Sequence, residues 1–153
     1  MNASVSARDV IKLIDAWHPR GCETEKDLER SLHKHLEKNF PDFDVQKQYA
    51  SGRVKGDICV NHAVLIELKD SLESTGQLQR LLGQLDLYDS QWKKEVVVVV
   101  CGDSQRDLVK SLMAKVESLK PKGFFDEQKI FLVVRGSGAP RKPKEKGFFD
   151  DLF

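Results

Sequence analysis

The sequence predicts an α/β domain in which a mixed β-sheet is flanked by helices. Three observations point there. Two capped amphipathic helices open the chain, three short alternating segments with turn residues between them follow, and the remainder alternates helix with strand, its first strand a run of five consecutive valines. At 153 residues the chain is long enough for one domain with a sizeable core.

Each element has its own signal. Ser6, with Asp9 three residues later, is a capping-box start, and Val10, Ile11, Ile14 and Trp17 supply a helical stripe that Pro19 and Gly21 end. Thr24 and Asp27 repeat the start signal. Leu28, Leu32 and Leu36 then recur every four residues until Asn39, Phe40 and Pro41 close a heavily charged helix over 24 to 38. From Val45 the period falls to two, giving strands over 45 to 50, 53 to 60 and 63 to 69 that read as an antiparallel meander. A long helix over 74 to 90 rests on Leu78, Leu81, Leu82, Leu85 and Tyr88. Glu95 and the run Val96 to Val100 make a strand buried on both faces. Asp103 or Ser104 is placed to cap a further helix carrying Leu108, Val109, Leu112, Met113, Val116 and Leu119, and Ile130 to Val134 is the last strand.

The globular domain is thus expected over 1 to 135. Residues 136 to 146 shift to Gly, Pro and Lys and read as a flexible basic linker carrying Arg141, Lys142, Lys144 and Lys146. A terminal segment over 147 to 153 holds three aromatic rings and two acids.

Charge narrows the partners. With 25 Lys and Arg against 24 Asp and Glu, the formal net charge of +1 excludes polyanion binding by bulk attraction and requires a local arrangement instead. No apolar run approaches the roughly eighteen residues of a membrane span, and the first twenty residues lack a signal-peptide pattern, so no membrane partner and a cytoplasmic location are expected. Cys22, Cys59 and Cys101 are odd in number and outside zinc-site spacing. His33 and His35 point in different directions on a helix.

The chemistry concentrates in Gly56 to Lys69. A two-residue turn at Asn61 and His62 would set Asp57 against Ile66 and mix charged with apolar side chains on each face. A three-residue turn, Asn61 to Ala63, sets Ile58 against Ile66 and Val60 against Val64. One face becomes wholly aliphatic, with Leu68, while the other gathers Asp57, Glu67 and Lys69. In that register Asp57 and Glu67 are cross-strand neighbours with Cβ atoms about 5 Å apart, an unfavourable pairing of like charges. A divalent cation explains it, because a hard ion takes oxygen from a few carboxylates and leaves its other positions to water and substrate phosphate. Lys69, two residues beyond Glu67, can steady charge on a phosphate. Glu25 and Glu29, four apart on the helix over 24 to 38, are placed to complete the shell.

Asp57, nine residues, then Glu67-Leu68-Lys69, preceded by an acidic helix and followed by a long helix, resembles the PD-(D/E)XK nuclease superfamily. The resemblance spans residues 24 to 135, and the helix with Gly83-Gln84 and Tyr88 is similar to that of the RecB-like and Holliday-junction-resolvase-like branches. It implies a restriction-endonuclease-like sheet with an αβββαβ core extended by a further helix and strand. It also implies a Mg²⁺ site, with Mn²⁺ as a substitute, formed by Asp57, Glu67, the Leu68 carbonyl and Glu29, with Glu25 as the second choice of helix acid. Lys69 would serve the nucleophilic water, and Gln84 and Tyr88 would line the site or the substrate path. The implied activity is hydrolysis of phosphodiester bonds in DNA, with RNA open, in repair, recombination or restriction; a homodimer would suit cutting two strands. The alternative is a catalytically inactive adaptor of the same fold. One departure is Gly56, which stands where the family's motif has proline.

Residues 147 to 153 resemble the short C-terminal motifs by which DNA-processing proteins engage a sliding clamp, and also the tails of single-stranded-DNA-binding proteins. That implies a replication or repair partner held by Phe148, Phe149, Leu152 and Phe153. Lys146 to Asp151 nearly repeats Lys122 to Glu127, whose rings are expected to pack on the core.

Overall fold

The helix starts follow from capping chemistry. A computed structural model describes residues 4–123 and 127–135. In α1 (Ala7–Asp15) and α2 (Glu25–Asn39), Ser6 and Thr24 accept the N–H groups of Asp9 and Asp27, whose carboxylates in turn accept the Ser6 and Thr24 N–H groups. α3 (Thr75–Gln91) begins in the same way on Ser74 and Gln77. α4 (Arg106–Ser118) corrects the expectation. Neither Asp103 nor Ser104 is its cap: that position is Gln105, without a side-chain hydrogen bond, and the Ser104 hydroxyl instead accepts the Leu72 N–H at 2.8 Å. A buried turn donor has claimed the oxygen that would otherwise have capped the helix.

Five strands, β1 (Val45–Ser51), β2 (Val54–Val60), β3 (Val64–Lys69), β4 (Glu95–Val100) and β5 (Ile130–Val134), form one mixed sheet in the order β1-β2-β3-β4-β5. The first three are an antiparallel meander; β3, β4 and β5 run parallel and are connected through α3 and α4. Ile58 faces Ile66 and Val60 faces Val64, the register that the aliphatic face required. The three-residue turn places Asn61 and His62 at φ of 54° and 53°.

The sheet separates two cores. α1 and α2 cover Ile58, Val60, Val64, Ile66, Leu68, Val97 and Val99, while α3 and α4 cover Cys59, Leu65, Val96, Val98 and Val100. The valines of β4 alternate between them, which is why none could be polar. His33 and His35 tie α2 to its neighbours, with ring nitrogens 2.9 Å from the Val45 carbonyl and 2.7 Å from that of Leu13. No helix among the described residues is long and apolar enough to cross a membrane. The proposed linker, the terminal segment with Phe148, Phe149, Leu152 and Phe153, and the rings of Phe124 and Phe125 lie outside the described residues.

Candidate active site

The β2–β3 ladder ends at Ile58 and Ile66, one pair short of Asp57 and Glu67. The two acids are neighbours without being a ladder pair, close enough for the charge of Asp57 to act on the Glu67 carboxyl. The Asp57 carboxylate instead accepts the Leu68 N–H at 2.7 Å, a charge-assisted bond that draws it along β3. On the other side, pairing of β1 with β2 passes from Lys47 and Ile58 to Tyr49 and Gly56, leaving out Gln48 and Asp57. Gln48 stands at a φ of 52°, a left-handed conformation costly for a residue with a side chain. Asp57 therefore sits where the sheet is opened on both flanks.

Glu67 is only 3% exposed. Its carboxylate receives the Tyr88 hydroxyl and lies 3.8 Å from the Lys69 ammonium. Burial, and then the negative charge of Asp57, push its carboxyl up to about 8, against the opposing pull of Tyr88 and Lys69. The Tyr88 oxygen is also 2.7 Å from the Lys55 carbonyl. One phenolic proton cannot serve two acceptors, and a proton on Glu67 lets both contacts be hydrogen bonds at once. Tyr88 thus has its ring in the α3 core and its hydroxyl on the site.

α2 brings both candidate helix acids to this opening. The Glu29 carboxylate is buried and accepts the Gln48 amide at 2.5 Å, while Glu25 accepts the Asp70 N–H at 3.2 Å, just beyond Lys69. With Asp57 they line an open cleft of about 490 Å³, whose other walls are Lys26, Arg30, Lys47 and Gln48. Neither Glu67, which is held against Tyr88, nor Lys69 lines this cleft. Gln84, one helical turn before Tyr88, has a buried side-chain oxygen with no hydrogen-bond partner.

Core packing holds position 56 to glycine. A Cβ there would lie 2.3 Å from the Leu65 Cδ1, so the position admits only glycine if Leu65 is to keep its place in the core. Burial raises the thiols of Cys59 and Cys101 to about 11 and about 12, which makes them inert core residues.

Among the described residues no group of three or more His, Cys, Asp or Glu side chains converges on a single point. The donor set fits a divalent cation in its two-carboxylate form. Asp57 and Glu67 repel each other, and a cation relieves both that repulsion and the cost of burying Glu67 as an anion. Leu68 contributes its N–H to Asp57. Sequence reasoning missed Gln48. The β1–β2 register, which pairs Ser51 with Val54, locates it opposite Asp57, but nothing in the sequence signals a left-handed glutamine. No protein-family model matches the chain, and no curated protein and no solved structure matches it.

Proposed function

We propose that the protein is a metal-dependent nuclease of restriction-endonuclease-like fold that hydrolyses phosphodiester bonds in DNA. The observation that carries this reading is the carboxylate pair Asp57 and Glu67 at the opened end of a hairpin, with Lys69 beside it. The element order, a helix, a three-stranded meander and a helical crossover to a parallel strand, supports it. Bound at the pair, Mg²⁺ or Mn²⁺ would supply a Lewis acid and a water acidic enough to attack phosphorus at neutral pH. The chain's own residues do the rest. Leu68 N–H fixes the Asp57 carboxylate, Tyr88 orients Glu67, and Lys69 sets positive charge where the phosphate would become more negative. Glu29, steadied by Gln48, faces the same cleft from α2. The segment with Phe148, Phe149, Leu152 and Phe153 is assigned to a sliding clamp or another replication or repair protein on its sequence resemblance alone.

The test is incubation of the full chain with single-stranded, duplex and branched DNA in Mg²⁺. Cleavage of at least one form is expected, with a loss of about 10³-fold or more in Asp57→Ala and Lys69→Ala while both variants remain folded at the assay temperature. Undiminished cleavage in both variants would remove the assignment.

The adaptor reading is favoured by two observations: Tyr88 occupies Glu67, and no third acid among the described residues converges with the pair. Calorimetry separates the two. Mg²⁺ or Mn²⁺ binding that disappears in Asp57→Ala supports the nuclease, and no heat from either metal supports the adaptor.

A further inference from the structure

The solvent face of α2 carries a row of cations. Lys26, Arg30 and Lys34 follow one another at four-residue intervals and are all exposed. Each step advances about 6 Å along the axis and turns about 40° around it. The acids on this face are already engaged. Asp27 accepts the N–H groups of Glu23 and Thr24 and lies 3.7 Å from Arg30, while Glu37 is 3.3 Å from the His33 ring. No ion pair among the described residues involves Lys26 or Lys34.

The row joins two clefts. Lys26, Arg30 and Lys47 line the cleft of about 490 Å³ together with the acids Glu25, Glu29 and Asp57. Arg30 and Lys34 line a second cleft of about 320 Å³ together with Arg20, Ser31 and Asp27, the acid that faces Arg30. Arg30 belongs to both. Each cleft has the size of a site for one small molecule.

We propose that this row is a binding track for the backbone of a single nucleic-acid strand, which passes from the second cleft along α2 to the Asp57 cleft. Three cations in one line match one line of phosphates. A single strand can turn its nucleotides separately into two small clefts, whereas a duplex is rigid on this scale, presents a charge about every 1.7 Å of axis from two strands, and cannot enter either. The direction in which the strand leads rests on the nuclease reading; the binding itself does not.

Fluorescence anisotropy of the full chain in EDTA, over a series of salt concentrations, tests it with a labelled oligothymidine and a labelled duplex of equal length. The single strand is expected to bind more tightly than the duplex. Lys26→Ala, Arg30→Ala and Lys34→Ala together should weaken single-strand binding by about 10-fold or more and reduce the salt slope by about 2. An equal charge change at exposed Lys93, Lys110 and Lys122 should leave both unchanged. Lys26→Gln with Lys34→Gln, which breaks no ion pair, repeats the test should the triple variant lose its fold. No binding of the single strand, preference for the duplex, insensitivity of binding to the row, or an equal loss in the control variant would each overturn the track. Row-dependent binding in a wild-type chain that cleaves nothing in Mg²⁺ would leave the track standing and sink the nuclease reading.

Discussion

Glu67 shows how a single side chain ties folding to chemistry. Its carboxyl is raised by burial and by Asp57, so between the unfolded value of 4.5 and the folded value of about 8 the folded chain holds a proton that the unfolded chain has released. The associated stability is present in full below about pH 4.5 and is lost as the pH rises through about 8. Urea midpoints of the metal-free protein across this window should therefore fall with pH, and Glu67→Gln, which cannot ionise, should flatten the fall. Equal slopes for the two proteins would show that Glu67 is ionised throughout. Gly56 is the second residue with a sharp consequence. Gly56→Ala forces a methyl against Leu65 in a closed core and should cost about 1–3 kcal/mol, read from urea unfolding. A neutral outcome would mean that Leu65 has another place to go.

The helices differ in how their starts are held, and stability should follow. Ser74 accepts the Gln77 N–H while Gln77 returns a bond to the Ser74 N–H, so Ser74→Ala should cost about 1 kcal/mol. Gln105 caps nothing with its side chain, which reaches the exposed Glu73 carbonyl, so Gln105→Ala should cost about 0.5 kcal/mol. Thermal and urea unfolding of the pair check the difference, and the reverse ranking would contradict the caps described. The capping boxes of α1 and α2 were legible because their partners lie three residues apart. α4 was not, because Ser104 answers to Leu72, thirty-two residues earlier in the chain.

At the scale of the whole molecule, the proposed cation would act as a ligand of the folded state alone. Saturating Mg²⁺, at about 100 times its dissociation constant, should add about 2.7 kcal/mol and raise the melting midpoint. Asp57→Asn and Glu67→Gln should each abolish most of that rise in a thermal melt, and a rise retained in both would place the ion elsewhere. The hairpin register, the doubly buried β4 and the gathering of Asp57, Glu67 and Lys69 on one side of the aliphatic hairpin were determined by the sequence by itself. A period of two leaves only one register in which the apolar face stays whole. Tertiary structure alone decided that the ladder opens at Asp57, that Gln48 adopts a left-handed turn and bonds Glu29, and that Tyr88 reaches Glu67. It also brought Glu25 and Glu29 to one cleft, so the choice between them that the spacing left open became two distinct environments, one buried on Gln48 and one exposed on Asp70. The physical reason is common to all of these. Local periodicity determines which face a side chain occupies, but the distance and burial that set its charge and its partners arise only when α2 and α3 close over the two faces of the sheet.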